Sequence, residues 1–271
     1  MIVSLLASIG VGYCLNMNEI NKNETVCVSW CHHGQVDAFF AHSMIDLIRT
    51  RSEKIKNFHD ILGTGLLAKS RNILVNSFLE NTEDDWLLLV DSDEYITVDA
   101  FDKLMSVADK DKYRIISGLC FSASPATDGA LMPTPTPTIY IIDEEQGFLV
   151  PYLDYPKNSL VEIDSAGTGC LLIHRSVLEE MRKEYSGATG DKWCWFQDGP
   201  VEDNGVVEWI SEDLMFCRRV KGIGVKIFAH TGALFPHHKD FWLLESHYDS
   251  WYADTKATLL NRRERRKKSK S

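Results

Sequence analysis

The stretch WLLLVDSDEY, Trp86 to Tyr95, decides the reading of this chain. Five apolar residues run directly into Asp91, Asp93 and Glu94. A continuous apolar run of this length is what a central parallel strand shows when both faces of its sheet are covered. Such a strand has no structural reason to end in three acids within four positions, so its carboxyl end needs negative charge for something.

Working outward, Glu24 to Cys31 (ETVCVSWC) reads as a buried strand, and HHGQ comes next as a turn. Val36, Phe39, Phe40, Ser43, Met44 and Leu47 recur at helical spacing. EKIKNFHD reads as a second strand and LLAKSRNILVNSFLEN as a second amphipathic helix, before the acidic turn NTEDD leads into Trp86. Strand, helix, strand, helix, strand in this order implies right-handed crossovers and a mostly parallel sheet flanked by helices, an α/β fold.

Beyond the acids, VDAFDKLMSVAD predicts a helix and YRIISGLCF a strand. SASPATDGALMPTPTPT holds four of the eight prolines and predicts an extended segment or lid outside the core. IYIIDEEQGFLVPYLD reads as a hairpin. SLVEIDSAGTGCLLIHR predicts strand, glycine turn and strand, with a helix from near Ser176. GATGDKWCWFQDGPVEDNGVVEW is read as a long polar loop. SEDLMFCRRVKGIG is a helix capped by Ser211, and VKIFAH is a last strand. HKDFWLLESHYDSWYADTKATLL reads as mixed to helical. The division expected is an N-terminal extension or extra strand over residues 1–22, one domain over 23–255 and a basic, disordered tail over 256–271.

Composition is that of a globular protein, with 44% hydrophobic and 25% charged residues among 271. The formal net charge is −10, while the last ten residues, RRERRKKSKS, carry seven basic side chains and one acid, so the remainder is −10 − 6 = −16. An acidic body excludes a broad nucleic-acid surface, which needs clustered Lys and Arg. It suits a site that takes up a divalent cation. The tail is a candidate contact for an acidic partner. Seven cysteines at irregular spacing predict buried, reduced thiols and a cytoplasmic protein. CVSWCHH is read as strand rather than as a metal cluster, because no second ligand pair stands at zinc-finger spacing. The N-terminal sixteen residues lack the basic segment of a signal peptide and are too short to cross a membrane.

In an open α/β sheet, ligands sit at the carboxyl ends of the strands. Asp91 and Asp93 stand there two residues apart, so both can face one side. Two carboxylates this close repel one another, and a bound Mg²⁺ or Mn²⁺ that keeps positions for substrate phosphates removes the repulsion. A solvated acidic turn is the bland alternative, since D-x-D alone is a weak motif. Three other features bear on the choice. Arg71 in AKSRN is placed either to meet a phosphate or to brace the acids, though a surface arginine reads the same. Gly167 and Gly169 around Thr168 let backbone approach a ligand, or make a plain tight turn. Glu212 and Asp213 stand in the first turn of a helix, where the dipole favours acids and where one of them is a candidate general base.

Taken in order, SRN, LLLVDSDE, GTGCLLIHR, SEDLMFCRRVKGIGVKIFAH and FPHHK resemble a GT-A glycosyltransferase, most closely the family-2-type enzymes and the small glycosyltransferases encoded by bacteriophages. The resemblance covers roughly residues 25–239. It implies a Rossmann-like nucleotide-binding GT-A fold and a hexosyltransferase activity dependent on Mn²⁺ or Mg²⁺. It also implies residue roles. Asp91, Ser92 and Arg71 would face the nucleotide of a nucleotide-sugar, and Gly167, Thr168 and Gly169 the donor sugar. Asp93 and His237 would hold the metal, with His238 adjacent. Asp213, or its neighbour Glu212, would be the base of an inverting enzyme; a retaining one would not need it. His230 stands where many relatives carry Asp. Glu94 is read as a turn residue without a role.

Trp193 and Trp195 in KWCWF are candidates to stack on an acceptor, with a loop anchored by one buried Trp as the alternative. The acceptor is open among a protein hydroxyl, a modified DNA base, a lipid carrier and a glycan, with virion proteins and modified DNA bases first for a phage-like enzyme, and the donor expected is a UDP-sugar. A haloacid-dehalogenase-type phosphatase also begins with an apolar strand and D-x-D, but it needs Thr or Val where this chain has Tyr95. A non-catalytic binding protein on a transferase fold is the other rival.

Overall fold

A computed structural model describes residues 23–124, 134–145, 147–203 and 206–239. The expected N-terminal extension, most of the Pro-Thr segment, the mixed-to-helical stretch after residue 239 and the basic tail lie outside the described residues.

The opening strand is β1 (Val26–His32), followed by α1 (Ala38–Arg51), β2 (Ile55–Leu62), α2 (Leu67–Asn81), β3 (Trp86–Val90), α3 (Val98–Val107) and β4 (Ile115–Leu119). Helix α1 starts where the Asp37 carboxylate accepts from the Phe39 N–H at 2.7 Å. Thr97 caps α3 in the same way, through the N–H of Ala100 at 3.0 Å. The second half adds β5 (Phe121–Ser124), β6 (Thr134–Pro137), β7 (Ile139–Ile142), β8 (Leu149–Pro151), β9 (Leu160–Ile163), β10 (Ser165–Ala166), β11 (Cys170–His174) and α4 (Arg175–Thr189). It ends in β12 (Gly199–Asp203), β13 (Val206–Ile210), α5 (Glu212–Gly222) and β14 (Ile227–Leu234).

Seven strands form the central sheet in the order β2-β1-β3-β11-β4-β14-β9. β1, β2, β3, β4 and β14 run one way, and β11 and β9 run against them. The sheet is therefore mostly parallel, as the strand–helix alternation predicts. Period-two alternation along β3 supplies both cores: Leu87 and Leu89 join the cluster containing α2, α4 and α5, while Trp86, Leu88 and Val90 join the one containing α1 and α3. β3 is buried along its whole length.

Four sequence expectations change. β3 is parallel to β1 but antiparallel to β11 on its other edge, a pairing direction that an apolar run does not encode. The long polar loop contains the β12–β13 hairpin. Thr134–Pro137 of the Pro-Thr segment is strand β6, paired with β5 in a two-stranded ribbon apart from the central sheet. Ser211 occupies the N-cap position of α5, but its hydroxyl bonds the Asp213 carboxylate rather than a helix N–H. The cysteines described, Cys27, Cys31, Cys120, Cys170, Cys194 and Cys217, form no disulfide. Among the described residues, no helix is long and apolar enough to cross a membrane.

Candidate active site

The carboxyl ends of β1, β2 and β3 open onto one cavity of about 700 Å³. Its walls are Cys31, His33 and Asp37 after β1, Gly63, Gly65 and Leu66 after β2, and Asp91, Ser92 and Asp93 after β3. The acidic turn is fastened by backbone: the Asp91 N–H donates to Gly169 O at 3.0 Å, and the Glu94 N–H donates to Asp91 O at 3.1 Å. Asp37 ties the α1 start to the same turn, its N–H donating to Ser92 O at 3.2 Å.

Arg71 lies beneath this turn, its side chain only 6% exposed. One guanidinium nitrogen donates to Asp91 Oδ1 at 3.0 Å and another to the Glu212 carboxylate. Burial pushes the Arg71 pKa down, but the charges of Asp91 and Glu212 outweigh it and hold the cation. Of the two readings of AKSRN, bracing the acids is the one the geometry displays. Arg71 links the helix bearing the candidate base to the strand bearing the first aspartate. Glu212 is half-buried, and desolvation raises its pKa against the pull of Arg71.

On the other side of the turn, Asp93 Oδ2 meets His237 Nε2 at 2.9 Å and the Lys239 ammonium at 2.7 Å. Burial alone would raise the Asp93 pKa, but the hydrogen bonds from His237 and Lys239 overcome it and hold the carboxyl ionised well below the usual range. His237 Nδ1 donates to Phe121 O at 2.9 Å. With that nitrogen committed as a donor, Nε2 faces Asp93 through a proton, and the hydrogen bond to Asp93 raises the His237 pKa against its burial. A divalent cation suits the place of that proton. Two neighbouring ligands of an octahedral ion at about 2.1 Å lie roughly 3 Å apart, close to the spacing seen here. Among the described residues, no three His, Cys, Asp or Glu side chains converge to hold a metal on their own. Asp93 and His237 therefore fit a cation that completes its shell with water and phosphate oxygens. His238 turns away, its Nδ1 2.6 Å from Asp37 Oδ2. His230 is buried on β14, its Nδ1 accepting from the Gly232 N–H at 3.1 Å.

Glu94 is the site residue the sequence reading passed over. It is 1% exposed, it lies 3.5 Å from His237 Nδ1, and its Oε2 has no hydrogen-bond partner. Burial, with Asp91 and Asp93 adding to it, pushes its pKa up to about 8 against the pull of His237. It is a buried floor under the turn rather than a solvated turn residue. The signal was its position between Asp93 and the apolar Ile96, at a point where the chain turns back into the core.

The Gly167–Gly169 turn runs alongside. A Cβ on Gly169 would stand 3.0 Å from Glu94 Oε1 and 3.7 Å from Asp91 Oδ2, so a larger residue here would have to push the Glu94 carboxyl aside. A Cβ on Gly167 would stand 3.2 Å from Thr138 Cβ and 3.5 Å from Asp213 Oδ2. Thr168 Oγ1 between them is buried without a hydrogen-bond partner. Asp213 Oδ1 accepts from Ser211 Oγ and from the Leu214 N–H, which leaves Oδ2 towards the Gly167 turn.

The two tryptophans separate. Trp195 is fully buried and its indole N–H donates to Leu178 O at 2.9 Å, so it anchors the core and stacks on no acceptor. Trp193 stays partly exposed beside Gly190. Neither lines the cavity.

The mostly parallel sheet with its flanking helices has a GT-A-like glycosyltransferase fold. GalNAc-T7 with UDP, GalNAc and Mn²⁺ matches with a TM-score of 0.50 and 12% identity, over 80% of this chain and 43% of that one. The chain thus spans less than half the length of that structure. A197 from STIV matches with a TM-score of 0.49 and 17% identity, over 80% of this chain and 86% of that one. A glycosyltransferase involved in glycosylation of the major capsid of PBCV-1 matches with a TM-score of 0.31 and 14% identity, over 60% and 68%. No protein-family model matches the sequence, and no curated protein sequence does.

Proposed function

We propose that the chain is a metal-dependent glycosyltransferase that moves a hexose from a UDP-sugar to an acceptor hydroxyl with inversion. The observation that carries this reading is the convergence on one cavity of Asp91, braced by Arg71, and of Asp93, paired with His237. The mostly parallel sheet puts that cavity at the carboxyl ends of its strands, where nucleotides bind in open α/β folds. The solved GalNAc-T7 structure, which holds UDP and Mn²⁺, supports the choice of donor class and metal.

In this reading the cavity between the ends of β1 and β2 takes the nucleoside, with Asp91 and Ser92 at its edge. Asp93 and His237 would hold Mn²⁺ or Mg²⁺, which when bound would neutralise charge developing on the departing diphosphate. The backbone of the Gly167–Thr168–Gly169 turn lines the sugar in this reading, with the Thr168 side chain buried beneath it. Asp213 takes the proton of the acceptor hydroxyl. The acceptor oxygen then bonds to the anomeric carbon as the bond from that carbon to the diphosphate oxygen breaks, and UDP leaves with the electron pair. Ser211 and the Leu214 N–H fix Asp213 for this task.

The test is a panel of nucleotide-sugars scored for hydrolysis and for thermal stabilisation, with Mn²⁺, Mg²⁺ or chelator. One or more UDP-sugars should stabilise the protein and be hydrolysed only with metal. Asp93→Asn should remove both effects. No response to any donor with either metal would sink the reading. Substantial phosphate release from simple phosphomonoesters would favour a phosphatase.

A further inference from the structure

A second groove, of about 420 Å³, lies against the first and shares Gly65, Leu66 and Leu67 with it. Its other walls include Asp198, Trp209, Ser211 and Glu212. Trp209, on β13, is 71% exposed. Val207 stands two residues earlier on the same hairpin face and is exposed too. Leu66 and Leu67, at the start of α2, are exposed on the facing wall. A tryptophan this open makes little contribution to the core, and its indole is a flat apolar surface of the kind that anchors ligands. Carboxylates and a hydroxyl edge it. Glu212, on the groove wall, is bonded through Arg71 to Asp91 of the donor cavity.

We propose that this groove binds the acceptor and that the acceptor is a saccharide. One ring lays its C–H face on the Trp209 indole and offers its hydroxyls to Asp198, Ser211 and Glu212. The inference rests on the transferase reading and adds the acceptor class to it. The chemistry of the groove selects among the acceptors open from the sequence. A sugar ring has an apolar face and a rim of hydroxyl donors, which matches an indole flanked by carboxylates. A phosphate-bearing acceptor such as DNA would bring negative charge to two carboxylates on a body of net −16 (−10 − 6), where binding needs Lys and Arg. The wall shared with the donor cavity, Gly65 to Leu67, seats the ring directly beside that cavity.

Binding is measured without donor by saturation-transfer NMR, using p-nitrophenyl glycosides of maltose, cellobiose, lactose and chitobiose as probes. At least one should receive saturation from the wild-type protein. Trp209→Ala should lower its affinity about 30-fold, and Trp209→Phe should retain most of it. Circular dichroism on Trp209→Ala should show a native fold, as expected of an exposed side chain. The proposal is overturned if no saccharide receives saturation, if Trp209→Ala binds as well as wild type, or if a duplex DNA binds through this groove instead. Hydrolysis of UDP-sugars by the wild-type protein reports on the transferase reading alone. Saccharide binding without hydrolysis would leave the groove standing and remove the enzyme; hydrolysis without Trp209-dependent binding would do the reverse.

Discussion

Arg71→Met tests how the two halves of the site are held together. Methionine keeps much of the apolar stem and removes the guanidinium, which bonds Asp91 at 3.0 Å and Glu212. Taking one partner from a buried ion pair costs about 3–5 kcal/mol, because the other charge stays behind uncompensated. The two carboxylates share that cost unequally. The Asp91 side chain is 37% exposed, and water replaces most of what it loses. The Glu212 side chain is 15% exposed and cannot be rehydrated as readily. The expected loss is about 3 kcal/mol, set mainly by Glu212. It should depend on pH in a definite direction. Burial already raises the folded pKa of Glu212, and Arg71 is what opposes that rise. Without Arg71 the folded pKa rises further, so the folded variant takes up a proton more readily than the unfolded chain. Stability contributed this way is present below the ordinary carboxylate range and is lost as pH rises through the folded value. The variant should therefore fall furthest behind wild type near about pH 8 and recover part of the gap near about pH 5. Adding Glu212→Gln should restore more than half of the loss. Urea denaturation at both pH values, in chelator and without nucleotide, measures all of this. A loss below about 0.5 kcal/mol, or one that Glu212→Gln leaves untouched, would refute the buried bridge.

Gly169→Ala puts a Cβ 3.0 Å from Glu94 Oε1 and 3.4 Å from Cys120 Sγ, both in buried residues, and should cost about 1–3 kcal/mol by denaturation. An unchanged midpoint would show that the turn has slack. Lys239→Met frees the Asp93 oxygen from an ammonium at 2.7 Å and should tighten Mn²⁺ binding about two- to fivefold in the absence of nucleotide, read by electron paramagnetic resonance. Weaker binding in the variant would contradict the competition. Glu94→Gln concerns a carboxyl whose pKa is raised from 4.5 to about 8 by burial. In metal-free wild type, that group's contribution is present below about pH 4.5 and is lost as pH rises to about 8. The variant lacks this slope and should gain about 3–5 kcal/mol on wild type across the window. Parallel pH–stability profiles would count against a buried neutral Glu94.

Much of the fold is legible because its elements declare themselves by period. Leu87 to Val90 could only be an interior strand, and Phe40, Ser43, Met44 and Leu47 mark the buried face of α1 as a helical stripe. Strand direction is not carried by that signal. β11 is as apolar as β3, and nothing in Cys170 to His174 says that it enters the sheet against its neighbours. The β12–β13 hairpin had a signal, Asn204-Gly205 between two β-forming runs, which is a strong hairpin marker. The surrounding Asp, Glu and Gly residues made the segment read as loop instead.

The site divides along the same line. Asp91 and Asp93 are recognisable because charge at the end of a buried strand is anomalous, and anomaly is what a single sequence can show. Glu94 belongs to the same anomaly, but its burial depends on Gly169 and Cys120, which arrive from far away in the chain. Tryptophan is the harder case. Trp195 and Trp209 both sit in polar sequence, yet one is sealed under α4 by its bond to Leu178 and the other stands in solvent beside Glu212. Trp195 precedes β12 and packs under α4, whereas Trp209 lies on β13 with its side chain outward, and that placement is decided only after the chain has folded.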